Sequence, residues 1–166
     1  MNHTRHFILA LVWVGFSSLG TAWAEQPNQP LTLKGTLVAL EDFDGSMTPN
    51  SVWSKIEAGE GTVVNTDTPD YGVTDSTYWF SIPVRKFQLD VQEEWVLEVG
   101  FPRLRDVRYF SMNNSGEVDR QHSVSVETPL SERPLYGRNY LFPIVDVSGL
   151  HSILIRVQSS VPMQVP

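Results

Sequence analysis

Apolar and polar residues alternate with a period of two through much of this chain, the spacing of a β-strand that turns one face to a core. Leu31, Leu33, Gly35, Leu37 and Ala39 share one parity, so a first strand is expected over residues 31–39. The alternation recurs at 77–84, 94–100, 107–112, 140–145 and 152–158. Turn-forming residues lie between most of these runs, including Asn113-Asn114-Ser115-Gly116 and Asp146-Val147-Ser148-Gly149. One stretch breaks the period. Thr48 stands as an N-cap before Pro49, Val52 and Ile56 lie on one side, and Gly59 supplies a stop, which predicts a helix of about two turns beside the sheet. Short strands with a single short helix place the chain in the all-β class, as a sandwich or barrel.

The first residues follow a different rule. Arg5 with His3 and His6 makes a short basic start, residues 7–22 are uncharged and mostly apolar, and Ala22-Trp23-Ala24 has the small-x-small form of a cleavage site. Residues 1–24 therefore read as a signal peptide, and the mature chain is expected to begin at Glu25, exported to the periplasm. Ser17, Ser18, Gly20 and Thr21 weaken the alternative of an uncleaved membrane anchor. Residues 25–30, polar and punctuated by Pro27 and Pro30, read as a linker, and 31–166 as one domain.

Composition narrows the chemistry. Cysteine is absent, which removes disulfides, thiolate nucleophiles and Cys-ligated metals, so stability has to come from a packed core. The chain carries 19 Asp and Glu against 12 Lys and Arg, a net charge of -7. That balance argues against nucleic acid or an anionic lipid surface as partner, because both call for clustered Lys and Arg.

Side-chain alternation also sorts candidate site residues by face. Tyr78, Phe80, Ile82 and Val84 form an apolar set, which leaves Trp79, Ser81, Pro83 and Arg85 on the other side. Trp95, Leu97 and Val99 leave Glu98, and Ile153, Ile155 and Val157 leave Arg156 and Gln158. If these strands are neighbours, Trp79, Glu98 and Arg156 share one face. The indole would then stack on the apolar side of a polar ligand while the charged groups fix its hydroxyls or acids. The structural alternatives are a Trp79 that caps a half-buried face under a loop, and a Glu98–Arg156 cross-strand ion pair worth about 1 kcal/mol or less. Arg133 and Arg138, in a loop and at a strand start, could clamp a carboxylate, phosphate or sugar hydroxyl pair, or could hold the turn after Pro134 through loop carbonyls.

Catalytic patterns are not found. His122 and His151 are far apart in sequence, without metal-ligand or triad spacing. Glu41-Asp42-Phe43-Asp44-Gly45 lacks the later ligands of a calcium loop and reads as a solvated turn. Glu93 and Glu94 cannot face one another as a glycosidase pair, and Arg103, Arg105 and Arg108 read as a solvated edge. No enzyme activity, metal or cofactor is expected.

The order and spacing of five segments resemble a known family. They are Tyr78-Trp79-Phe80-Ser81-Ile82, Trp95-Val96-Leu97-Glu98-Val99-Gly100, Pro129-Leu130-Ser131-Glu132-Arg133-Pro134, Arg138-Asn139-Tyr140-Leu141-Phe142-Pro143 and Leu154-Ile155-Arg156-Val157-Gln158-Ser159-Ser160. The family is the 7TMR-DISM extracellular 2 (7TMR-DISMED2) periplasmic sensor domain, and the resemblance runs over roughly residues 29–166. It implies a jelly-roll β-sandwich like that of carbohydrate-binding modules, placed outside the membrane ahead of a seven-helix bundle and a cytoplasmic diguanylate cyclase or histidine kinase. By implication the ligand is a small carbohydrate-like or carboxylate molecule bound unchanged, and the residues expected to hold it from the reading of faces and loops are Trp79, Glu98, Arg133, Arg138 and Arg156. Two departures fall near that site. Ser81 stands where members commonly carry an arginine, and Ser125-Val126-Glu127 where a Gly-Asp pair is common. The alternatives are a free periplasmic carbohydrate-binding or scaffold protein and a hydrolase on the same fold; oligomeric state is left open.

Overall fold

The computed structural model describes residues 33–159 together with Val165. The expected signal peptide and linker lie outside the described residues. In chain order the elements are β1 (Val38–Asp42), α1 (Pro49–Glu57), β2 (Thr62–Val63), β3 (Thr77–Ile82), β4 (Trp95–Val99), β5 (Asp106–Asn113), β6 (Val118–Ser125), β7 (Tyr140–Ile144) and β8 (Leu150–Gln158). They form a six-stranded antiparallel sheet of order β2-β1-β3-β8-β5-β6 and a two-stranded antiparallel sheet of β4 and β7. The described residues form an all-β sandwich with one short α-helix.

The main core lies between the two sheets. Tyr78, Phe80 and Ile82 of β3, Val107 and Tyr109 of β5, and Ile153, Ile155 and Val157 of β8 meet Val99 of β4 with Tyr140 and Phe142 of β7. The Tyr109 and Phe142 rings stack across the gap at 5.4 Å and 17°. Burial of each such side chain removes apolar area worth about 1.5–3 kcal/mol, so these two rings do much to hold the small sheet on the large one.

The other face of the large sheet is also closed. Thr48 and Ser51 form a capping box at the start of α1, with Pro49 in the first turn where its missing N–H costs nothing. The helix then lays fully buried Val52 against Trp79, Phe110, Met112 and Leu154, with Leu40, Met47, Trp53, Ile56 and Val118 around them. All six residues of β3 are consequently buried.

Three strands differ from the alternation pattern, and one of them, the two-residue β2, is exposed at both positions and has no alternation to mark it. Gly35 has φ 77 in a tight turn that Thr36 Oγ1 closes on the Leu33 carbonyl at 2.8 Å, so the expected first strand starts only at Val38. Leu33 and Leu37 still pack on the main core, which is why their parity resembled a strand. β6 was not expected from alternation. Asp119, Arg120, Gln121 and Ser123 are exposed and polar on both sides, and the strand sits at a sheet edge where charge discourages further pairing.

Candidate functional site

The residues singled out by sequence fall into two groups. Trp79 and Arg156 are opposite one another in the β3–β8 register. Glu98 belongs to the small sheet, where it faces Leu141 of β7. The shared face of Trp79, Glu98 and Arg156 is therefore corrected: β4 pairs with β7, not with β3 or β8, and the Glu98–Arg156 ion pair does not form.

Trp79 is on the side expected for it, but that side is covered. Its relative exposure is 1%, its ring stacks on Phe110 at 5.6 Å, and Nε1 donates to Asp42 Oδ2 at 3.2 Å. The buried Asp42 carboxylate also accepts from the Met47 amide at 3.1 Å, which ties β1, β3 and the segment entering α1 to one acceptor. A ligand could meet Trp79 only with α1 displaced, so its assignment to an open binding face is corrected.

Arg156 is similarly engaged. Nη1 donates to Asp106 Oδ2 at 3.0 Å and Nη2 to Thr77 Oγ1 at 3.3 Å, while Arg108 Nε reaches the same Asp106 oxygen at 2.9 Å. Burial and the neighbouring Arg108 pull the Arg156 pKa below its usual value, and Asp106 and Asp42 oppose them. The backbone at Gly45, φ 69, lies close by: a methyl there would sit 3.6 Å from Arg156 Nη2. The arrangement shares one carboxylate between two guanidinium groups and stitches three strands together. Arg108, expected as a solvated edge, takes part in it.

The second group is open. Glu98 is exposed and accepts a hydrogen bond from Asn139 Nδ2. Arg138 beside it is exposed. Arg133 braces the preceding loop from within, donating from Nε to the Thr128 carbonyl at 3.3 Å and from Nη1 to the Gly137 carbonyl at 3.4 Å. Its guanidinium lies 5.4 Å from the centroid of the Tyr140 ring, a cation–π distance. Tyr140 in turn is buried and donates through its hydroxyl to the Leu104 carbonyl at 2.5 Å. The loop is thus fixed at its base.

Tyr136 lies in that braced loop, just before Gly137, and is 80% exposed. Gly137 follows, close enough to Leu141 that a methyl on it would meet Leu141 Cδ1 at 2.6 Å, so the loop lies against the face that carries Glu98. Exposed Tyr136 and Arg138 stand within three residues of Asn139, which is bonded to Glu98, so this stretch carries an aromatic ring, a guanidinium, an amide and a carboxylate at the surface. Sequence reasoning missed Tyr136 and Asn139. The available signal was the long segment between β6 and β7, since loops of that length in compact domains tend to carry function.

Residues 34–166 match the family described as 7TMR-DISM extracellular 2, and the chain belongs to that family. The family is an extracellular, sensor-type domain of seven-transmembrane receptor-type proteins. No curated protein matches the chain. No helix among the described residues is long and apolar enough to cross a membrane.

Proposed function

We propose that this chain is the ligand-sensing part of a bacterial membrane receptor, exported by residues 1–24, with residues 31–166 as its periplasmic domain. Its ligand is a small carbohydrate-like or carboxylate-bearing molecule, bound without chemical change. The receptor's output is cyclic-di-GMP synthesis or protein-histidine phosphorylation. The observation that carries the reading is the 80% exposure of Tyr136 on a loop that Arg133 braces, next to Arg138 and the Glu98–Asn139 pair. Tyr136 supplies the stacking surface, Arg138 the fork for a carboxylate or vicinal hydroxyls, and Glu98 with Asn139 an acceptor and a donor. To signal, the ligand has to bind one receptor state more tightly than another.

Isothermal titration with neutral hexoses and the corresponding uronic acids tests this reading. Wild-type protein is expected to give saturable heats with a member of that panel. Tyr136→Ala and Arg138→Ala should each weaken binding by about 1–3 kcal/mol. Full affinity in both variants would overturn the assignment of the site.

A further inference from the structure

We propose that His151, buried beneath α1, makes this domain responsive to acid, with imidazole protonation loosening α1 from the large sheet. The proposal rests on the reading of the chain as a sensory domain and adds a stimulus to it.

The backbone itself aims His151. Across β5 and β8, Met112 faces Ser152 and Asn113 faces Leu150, which leaves His151 as the extra residue of a β-bulge. Bulges re-aim side chains. Ser152 shares the α1 side with Met112, and the imidazole meets the Trp53 ring of α1 edge-on at 5.8 Å and 72°. Two consecutive residues of β8 therefore face the helix instead of alternating.

Three polar atoms at this contact, His151 Nδ1, Trp53 Nε1 and Ser152 Oγ, are buried and have no hydrogen-bond partner. His151 Nε2 lies 4.0 Å from Glu57 Oε1, beyond hydrogen-bond range, and His151 itself is 6% exposed. By contrast, the start of the helix is tethered through Asn50 Nδ2 to the Gly116 carbonyl at 3.2 Å. With neutral His151 the Glu57 contact is no ion pair, and this end of α1 is held by shape and apolar area.

The charged groups acting on the imidazole come from two elements. Glu57 of α1 favours the charged form, and Arg85 of the 3-10 turn Val84–Lys86 opposes it. Burial is the largest influence, and the outcome is a pKa below the usual value of 6.5. The docked helix thus prefers neutral His151. Its docking free energy is fully present above the ordinary histidine pKa and is lost as pH falls from there toward the lowered one. Protonation places an unhydrated cation where Nδ1 has no acceptor. Release of α1 hydrates it and opens the face that holds Trp79, Phe110 and Leu154 beside Arg156. Such a bistable element, biased by a histidine, is a known way to read pH.

Hydrogen exchange with mass spectrometry on the whole chain, between about pH 7.5 and about pH 5 and corrected for intrinsic rates, tests the proposal. Amides of α1 should lose severalfold more protection than those of β3 and β8 over that range. His151→Phe, which keeps an aromatic ring against Trp53, should remove the difference, and His151→Gln should do so if the Phe variant fails to fold. His122→Phe should preserve it. Uniform loss of protection in all elements, or a difference that persists without His151, would overturn the proposal. The sugar titrations at Tyr136 are independent of that result, so acid release and ligand sensing can fail separately.

Discussion

Trp79 and Tyr136 are both large aromatic residues set apart from the main core, and they meet opposite fates. Trp79 has five of the properties of a structural residue in one place: it is sealed under α1, stacked on Phe110, bonded to buried Asp42, flanked by Leu154 and set in a strand that is buried on both faces. Tyr136 has solvent on nearly every side and a loop braced beneath it. The comparison teaches that parity along a strand assigns a side, whereas coverage of that side is decided by an element elsewhere in the chain. In this protein the covering element is a nine-residue helix.

The comparison can be broken most directly by truncation at its two poles. Trp79→Ala should destabilise the fold by about 3–5 kcal/mol in urea denaturation, the usual cost of emptying a buried Trp site. Tyr136→Ala should change stability by about 0.5 kcal/mol or less, since it removes no buried contact. Comparable losses from the two substitutions, or a small loss at Trp79, would show that α1 does not seal this face in solution.

Next in size is the polar half of the covered face. Arg156→Met keeps the apolar stem and removes the guanidinium from Asp106 and Thr77. Arg108 still reaches Asp106, so the carboxylate keeps one charged donor. A loss of about 2 kcal/mol is expected, below that for a buried carboxylate left wholly unpaired. Unchanged stability together with weakened ligand binding would return Arg156 to the ligand site.

Much of this organisation can be read from local sequence, and the remainder depends on long-range pairing. Thr48, Pro49, Val52, Ile56 and Gly59 mark α1 because capping, first-turn proline and helical spacing act within a few residues. Tyr78, Phe80 and Ile82 mark their strand because alternation is equally local. The sheet to which Glu98 belongs is different in kind. It follows from β4 choosing β7 across the 40-residue span between them, a choice that alternation leaves open. β6 escaped notice because an edge strand needs no apolar face, and Tyr136 because an exposed tyrosine in a loop has no periodicity to mark it. Arg133 had two readings, clamp or brace; its hydrogen bonds to the Thr128 and Gly137 carbonyls make it a brace.

The smallest expected effect sharpens the comparison most selectively. Thr48 Oγ1 accepts from the Ser51 amide at 3.2 Å, and the Thr48 amide donates to Ser51 Oγ at 2.9 Å. Both bonds satisfy donors that the first turn of a helix leaves without intrahelical partners. Thr48→Ala removes the first of them without touching the sheet, at a cost of about 1 kcal/mol. Hydrogen exchange should register that cost in α1, and Trp79 fluorescence should become easier to quench with iodide, while the loop around Tyr136 keeps its wild-type exchange. If the Tyr136 loop responds as strongly as α1, the two regions are coupled and the covered face is part of the binding surface; if only α1 responds, the helix is an independent cover on a sheet that folds without it.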